Sequence, residues 1–221
     1  LKLDGSSKTA KMLCCCSTAD AAVHLDNALP LPRAPPSSSP RDDEQVIIKL
    51  DEQYDLKRFD LDLSDPKCVI LASCQGAASE WNRQNTNQVF PYDRIAWVDG
   101  KPCESQDVLD MLKRDKASPI QLILERPRKR LLYLKKPGVL GLDMTFTLVD
   151  TKPWKASVRP WISSIQEGLV AEWNANMPEL SVGPHDRIIS VNSKGGSPAE
   201  LADTLAAADD VVELEVLHYN L

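Results

Sequence analysis

The side chains best equipped for chemistry in this 221-residue chain are six cysteines and three histidines. Cys14, Cys15 and Cys16 are adjacent, whereas Cys68, Cys74 and Cys103 stand far apart among apolar residues. No CxxC or His/Cys spacing suits a tetrahedral zinc, so no metal site is expected. Asp60-Leu61-Asp62-Leu63-Ser64-Asp65 begins like a calcium loop. Asp65 then occupies the position that needs glycine and Leu71 the one that needs a bidentate glutamate, so an EF-hand fails. Gly195-Gly196-Ser197 has the small neighbours of a serine nucleophile. His24, His185 and His218 lie in no supporting motif, and no P-loop, HExxH or GxGxxG run occurs. No catalytic residue and no cofactor are assigned, and the chain reads as noncatalytic.

The elements that would carry a binding site must therefore be found from composition and pattern. Formal net charge is −6, from 26 Lys+Arg against 32 Asp+Glu, which argues against nucleic acid as a partner. Twelve aromatics predict slim cores of Val, Ile and Leu. No uncharged apolar run approaches the roughly 20 residues of a membrane span. The free-thiol pattern fits a reducing, cytoplasmic compartment.

Residues 1–45 read as a disordered Cys/Pro/Ser-rich tail and linker. Five prolines and three serines crowd positions 30–40 and disfavour helix and sheet. Pro32-Arg33-Ala34-Pro35 fits a PxxP pattern, for which a plain spacer is the simpler reading. The chain opens at Leu1, and Met12 is an alternative start. Cys14, Cys15 and Cys16 are candidates for S-palmitoylation, which would bring the protein to a membrane periphery; an unmodified tail is the alternative.

A repeat sets the architecture. Glu80-Trp81-Asn82 returns as Glu172-Trp173-Asn174 at an offset of 92, and Pro91-Tyr92-Asp93-Arg94-Ile95 as Pro184-His185-Asp186-Arg187-Ile188 at 93. Each copy continues into a turn, an apolar-periodic helix and an alternating strand. Two units follow, 46–127 and 131–221. The first predicts strands at 46–50, 56–63, 68–72, 94–98 and 120–126 with helices at 78–82 and 105–113. The second predicts strands at 130–135, 142–149, 156–162, 187–191 and 211–218 with helices at 169–174 and 198–207. Ser105 and Ser197 are expected caps, and Pro198 suits a first helical turn. The fold class is α+β: two consecutive small, partly open β-barrels, each with two helices.

The order of elements, Gly168-Leu169-Val170 before a short helix, and Pro184-His185-Asp186-Arg187-Ile188-Ile189-Ser190-Val191-Asn192 resemble PDZ domains. Asp93-Arg94-Ile95-Ala96-Trp97-Val98-Asp99-Gly100 looks like a divergent first copy. The resemblance implies tandem PDZ-like domains that bind peptide segments or C-termini by adding a strand to an edge, with a terminal carboxylate held by N–H groups of a Gly-containing loop.

Carried onto this chain, the resemblance places peptide-binding residues at Leu140, Gly141, Leu142, Asp143, Met144, Thr145 and Phe146, opposite Pro198, Leu201, Ala202 and Leu205. A weaker site in the first unit would use Phe59, Asp60, Leu61, Ser105 and Leu109, where Asp60 replaces the glycine and disfavours a carboxylate. Neither Ser105 nor Pro198 is the histidine that would select Ser/Thr in a ligand. The implied role is a noncatalytic scaffold acting mainly through the second unit. Two other readings stay open: a structural subunit of a larger, membrane-associated complex, and an enzyme of unrecognised type. Arg126, Arg128, Lys129, Arg130, Lys135 and Lys136 read as a solvated linker that could also face anionic lipid. Tyr219-Asn220-Leu221 could serve as a ligand for another copy, or simply finish the last strand.

Overall fold

The computed structural model describes residues 2–3, 9–13, 45–50, 56–113, 119–147 and 158–221, with side chains described from Gln45 onward. The three adjacent cysteines, the PxxP match and the Pro/Ser stretch lie outside them.

The chain enters through β1 (Lys2–Leu3) and β2 (Thr9–Leu13). The first unit then runs β3 (Gln45–Leu50), a 3-10 turn at Leu56–Arg58, β4 (Leu61–Asp62), β5 (Ile70–Leu71), α1 (Ala77–Gln84), β6 (Arg94–Val98), β7 (Lys101–Pro102), α2 (Ser105–Leu112) and β8 (Ile120–Glu125). The second runs β9 (Arg128–Lys135), β10 (Leu142–Thr147), β11 (Trp161–Ile165), α3 (Leu169–Asn176), a 3-10 turn at Pro178–Leu180, β12 (Arg187–Val191), α4 (Pro198–Ala206) and β13 (Val211–His218). All ladders are antiparallel. The first sheet has the order β3-β8-β6-β5-β4 with β7 on β6, and the second β1-β2-β10-β11-β12-β13-β9. This is the expected α+β class, with the strand and helix order that the resemblance implies in both units.

Alternation explains the longer strands. Val46, Ile48 and Leu50 are buried while Gln45, Ile47 and Lys49 face out, as a period of two demands. Leu132 and Leu134 on β9 do the same against Val212, Leu214 and Val216 on β13. Each unit has its own aliphatic core, one around Ile48, Leu71, Val108 and Leu124, the other around Met144, Phe146, Ile188 and Leu205. A third cluster, Cys68, Ile70, Leu217 and Tyr219, joins residues of both units in the seam between them.

The repeated motif has a structural job. Asn82 Nδ2 donates to the Val89 carbonyl and its Oδ1 accepts from the Val89 N–H, both at 2.8 Å. Asn174 makes the same pair with Val182 at 2.8 and 2.9 Å. Trp81 and Trp173 donate to Asn87 and Leu180 carbonyls, and Asp93 and Asp186 accept from Phe90 and Gly183 N–H groups. Each helix is thereby stitched to the loop after it, satisfying backbone groups that would otherwise be buried unpaired.

Several expectations need correction. The strand expected at 56–63 is a 3-10 turn followed by the two-residue β4. Asp62 and Asp65 accept from the N–H groups of Ser64 and Lys67, each at 2.9 Å, and such local bonds compete with a ladder. Of the strand expected at 156–162, residues 158–160 lie outside any strand and β11 starts at Trp161, after Pro160. Glu104 rather than Ser105 caps α2, with Asp107 accepting from its N–H. Residues 128–135 are not a solvated linker but β9, paired along its length with β13. Ahead of the first unit, β2 pairs with β10 and β1 pairs with β2.

Candidate functional site

The loop before β10 is built around Gly141, whose φ of 67° lies in the left-handed region. A Cβ there would come within 2.7 Å of the carbonyl oxygens of Gln166 and Glu167, so glycine is required for space as well as for conformation. Gly168 answers from the other side. A Cβ on it would sit 2.5 Å from the Val139 oxygen and 2.9 Å from the Gly141 nitrogen. The two loops are locked by bonds from Gln166 N–H to Gly141 O, Leu169 N–H to Val139 O and Val170 N–H to Leu140 O, at 2.8, 2.9 and 3.1 Å. The carbonyls of 139–141 are thus engaged on the inner side. Among the described residues, nothing accepts from the N–H groups of Leu140 and Gly141.

β10 leads directly away from this loop. Leu142, Met144 and Phe146 are buried in the second core, and β11 takes one side of the strand with a bulge between Asp143 and Met144. Asp143 is held by Ser164 Oγ, which donates to its carboxylate at 2.6 Å, and by Ser163 Oγ, which donates to its carbonyl at 3.2 Å. From α4, Leu201, Ala202 and Leu205 enter the same core, with Pro198 half-buried at the helix start. Ser197 caps α4: its Oγ accepts from the Glu200 N–H and the Glu200 carboxylate accepts from the Ser197 N–H at 2.7 Å. These backbone and side-chain bonds from Ser197 hold the Glu200 carboxyl below its usual range. The serine that sequence set aside as a nucleophile is a helix cap.

The first unit repeats this frame without its openness. A Cβ on Gly76 would meet the Arg58 oxygen at 2.4 Å, as one on Gly168 would meet Val139 O. Ala72 N–H donates to Asp60 O as Gln166 N–H does to Gly141 O. Asp60 therefore stands at the position of Gly141, and its carboxylate accepts from Ser73 Oγ at 2.7 Å. Phe59, Leu61 and Leu109 are buried in the first core, and Ser105 Oγ donates to the Asp65 carbonyl. At the end of β4 and just past it, Asp62 and Asp65 belong to the seam. The Asp62 carboxylate accepts from Arg187 Nη1 at 3.0 Å and from the Val158 N–H at 2.9 Å. Asp65 meets His185 Nδ1 at 2.9 Å, and that imidazole stacks on Trp161.

Sequence reasoning missed this seam, although the repeated arginine was its signal. Arg187 is fully buried and also donates to the carbonyls of Arg159 and Cys68. Burial works against its charge, but Asp62, with Cys68, Tyr219 and Asp65, outweighs it and leaves the pKa raised. Arg94 reaches the other way and donates to the Asn220 carbonyl. Tyr219 is buried, its N–H donating to Asp186 Oδ1 at 3.0 Å and its hydroxyl to Tyr92 O at 3.1 Å. Of the last three residues, read either as a ligand for another copy or as the finish of the last strand, Tyr219 and the Asn220 carbonyl are held in their own molecule, and Leu221 is exposed. The basic run is also engaged: Arg126 lies 4.4 Å over the Phe90 ring and pairs with Asp93, Lys129 pairs with Glu215, and Lys136 donates to Ala208 O.

Among the described residues, no group of three or more His, Cys, Asp and Glu could hold a metal ion, and no helix is long and apolar enough to cross a membrane. No family model matches the chain, and no curated protein matches it. Similar solved structures include INAD PDZ45 in complex with NORPA CC-PBM, 14% identical over 83% of this chain and 94% of that one, TM-score 0.36. Another is INAD PDZ45 in complex with an NG2 peptide, 13% identical over 85% and 95%, TM-score 0.34.

Proposed function

We propose that this chain is a noncatalytic interaction protein whose second unit binds an extended peptide along β10, between the Gly141 loop and α4. The observation that carries the reading is the loop: glycine is obligatory at 141, and the Leu140 and Gly141 N–H groups stand without an acceptor among the described residues, at the head of β10. Paired N–H groups of this kind make a nest for a carboxylate or a peptide carbonyl. Strand addition then supplies main-chain bonds along β10, and alternate side chains select the ligand.

The first unit acts as a packing block. Asp60 places a carboxylate where Gly141 leaves room, β4 offers two residues of edge, and its Asp62 and the nearby Asp65 are spent on the second unit. The test is a peptide library of free C-termini and internal segments, titrated in excess into the isotope-labelled full chain. Binding peptides should shift the amides of Leu140 to Phe146 and of Ala202, and leave those of β4 unmoved. Shifts confined to β4 and α2, or none from any peptide, would overturn the reading.

A further inference from the structure

β10 already carries a strand. Thr9–Leu13 pairs with it antiparallel over five positions, from Thr9 opposite Thr147 to Leu13 opposite Asp143. β1 then covers β2, with Lys2 opposite Lys11 and Leu3 opposite Ala10. The polarity is informative: the C-terminal end of β2 lies at the Asp143 end of β10, beside the Gly141 loop. A ligand whose end is held by that loop would run the same way. The chain continues past Leu13, so this occupant is an internal segment, held by its ladder rather than by a terminal carboxylate.

Because β2 is part of the same chain, it competes for the edge at an effective concentration of roughly millimolar. A segment of modest intrinsic affinity is enough to fill the site under those terms.

We infer that Thr9–Leu13 is the resident occupant of the β10 edge, and that partners are internal extended segments, which must displace it. The ligand class rests on the reading of β10 as a peptide site; the occupancy does not. The test uses the full chain carrying Ala10→Pro and Lys11→Pro, since proline withdraws an N–H and is poorly tolerated inside a ladder. Two readouts are taken: amide hydrogen exchange, and binding of a labelled peptide copying residues 7–13, with either an amidated or a free C-terminus. Exchange at β10 should rise by about tenfold or more while β12 and β13 keep their protection. Both peptides should bind the proline variant about tenfold more tightly than the unaltered chain. Unchanged exchange at β10 would overturn the occupancy. Faster exchange with no gain in peptide binding would uphold the occupancy and overturn the peptide-site reading. Binding by the free acid alone would overturn the internal-segment class.

Discussion

Cys68 and Tyr219 face each other's neighbours in the seam, and both are kept protonated by where they sit. Burial, opposed in part by the Arg187 charge, pushes the Cys68 thiol from 9.0 to about 12, and burial first of all lifts the Tyr219 phenol well above 10.0. An unfolded chain gives up these protons near their ordinary values, whereas the folded chain retains them. Stability from this source is therefore full below pH 9 and drains away as pH rises toward 12. A urea midpoint followed through the alkaline range should fall more steeply in the unaltered protein than in one carrying Tyr219→Phe and Cys68→Ala; equal slopes would refute the assignment. The same burial makes Cys68 a poor nucleophile, since the thiolate is the reactive form. It is a packing residue, as its sequence neighbours Val69 and Ile70 suggest.

At the level of elements, the start of α4 depends on its exposed cap. Ser197→Ala removes the hydroxyl that meets the Glu200 N–H and should lower stability by about 1 kcal/mol in chemical denaturation. The Glu200 carboxyl, freed of its Ser197 side-chain partner, should titrate closer to its ordinary value by NMR. A variant that leaves both unchanged would mean that the cap contributes nothing. Whereas the cap of α2 falls on Glu104 rather than on the expected Ser105, this cap was readable in the chain, because Ser197-Pro198 is a local pattern for a helix start. So were β12, α4 and β13, whose apolar spacing carries through to their observed ends within a residue. β4 was not readable: Leu61 and Leu63 alternate with Asp60 and Asp62 as a strand would, but the Asp62 and Asp65 carboxylates accept from the nearby Ser64 and Lys67 N–H groups. Alternation reports which side is apolar and cannot report that an aspartate has found a nearer donor. The pairing of β2 was equally hidden, since Thr9-Ala10-Lys11-Met12-Leu13 holds no strong strand signal and acquires its ladder from an edge more than a hundred residues away.

For the whole molecule, the deciding contact is the buried pair of Arg187, with 0% of its side chain exposed, and Asp62, with 1%. Asp62→Ala would leave a guanidinium out of water with only carbonyls to meet it, a loss of about 3–5 kcal/mol, while Asp62→Leu with Arg187→Met should recover most of it. Urea unfolding of the three proteins checks this, and a loss for Asp62→Ala under about 1 kcal/mol would place the pair among surface bridges. The offset of the repeat revealed two units, yet their mutual dependence was invisible, because Arg94 and Arg187 look alike in sequence and differ only in what they reach. Each reaches into the other unit, and only Arg126 and Pro127 separate β8 from β9. A protease, a splice event or a recombination that parted the halves would strand a buried arginine on one side and a buried aspartate on the other.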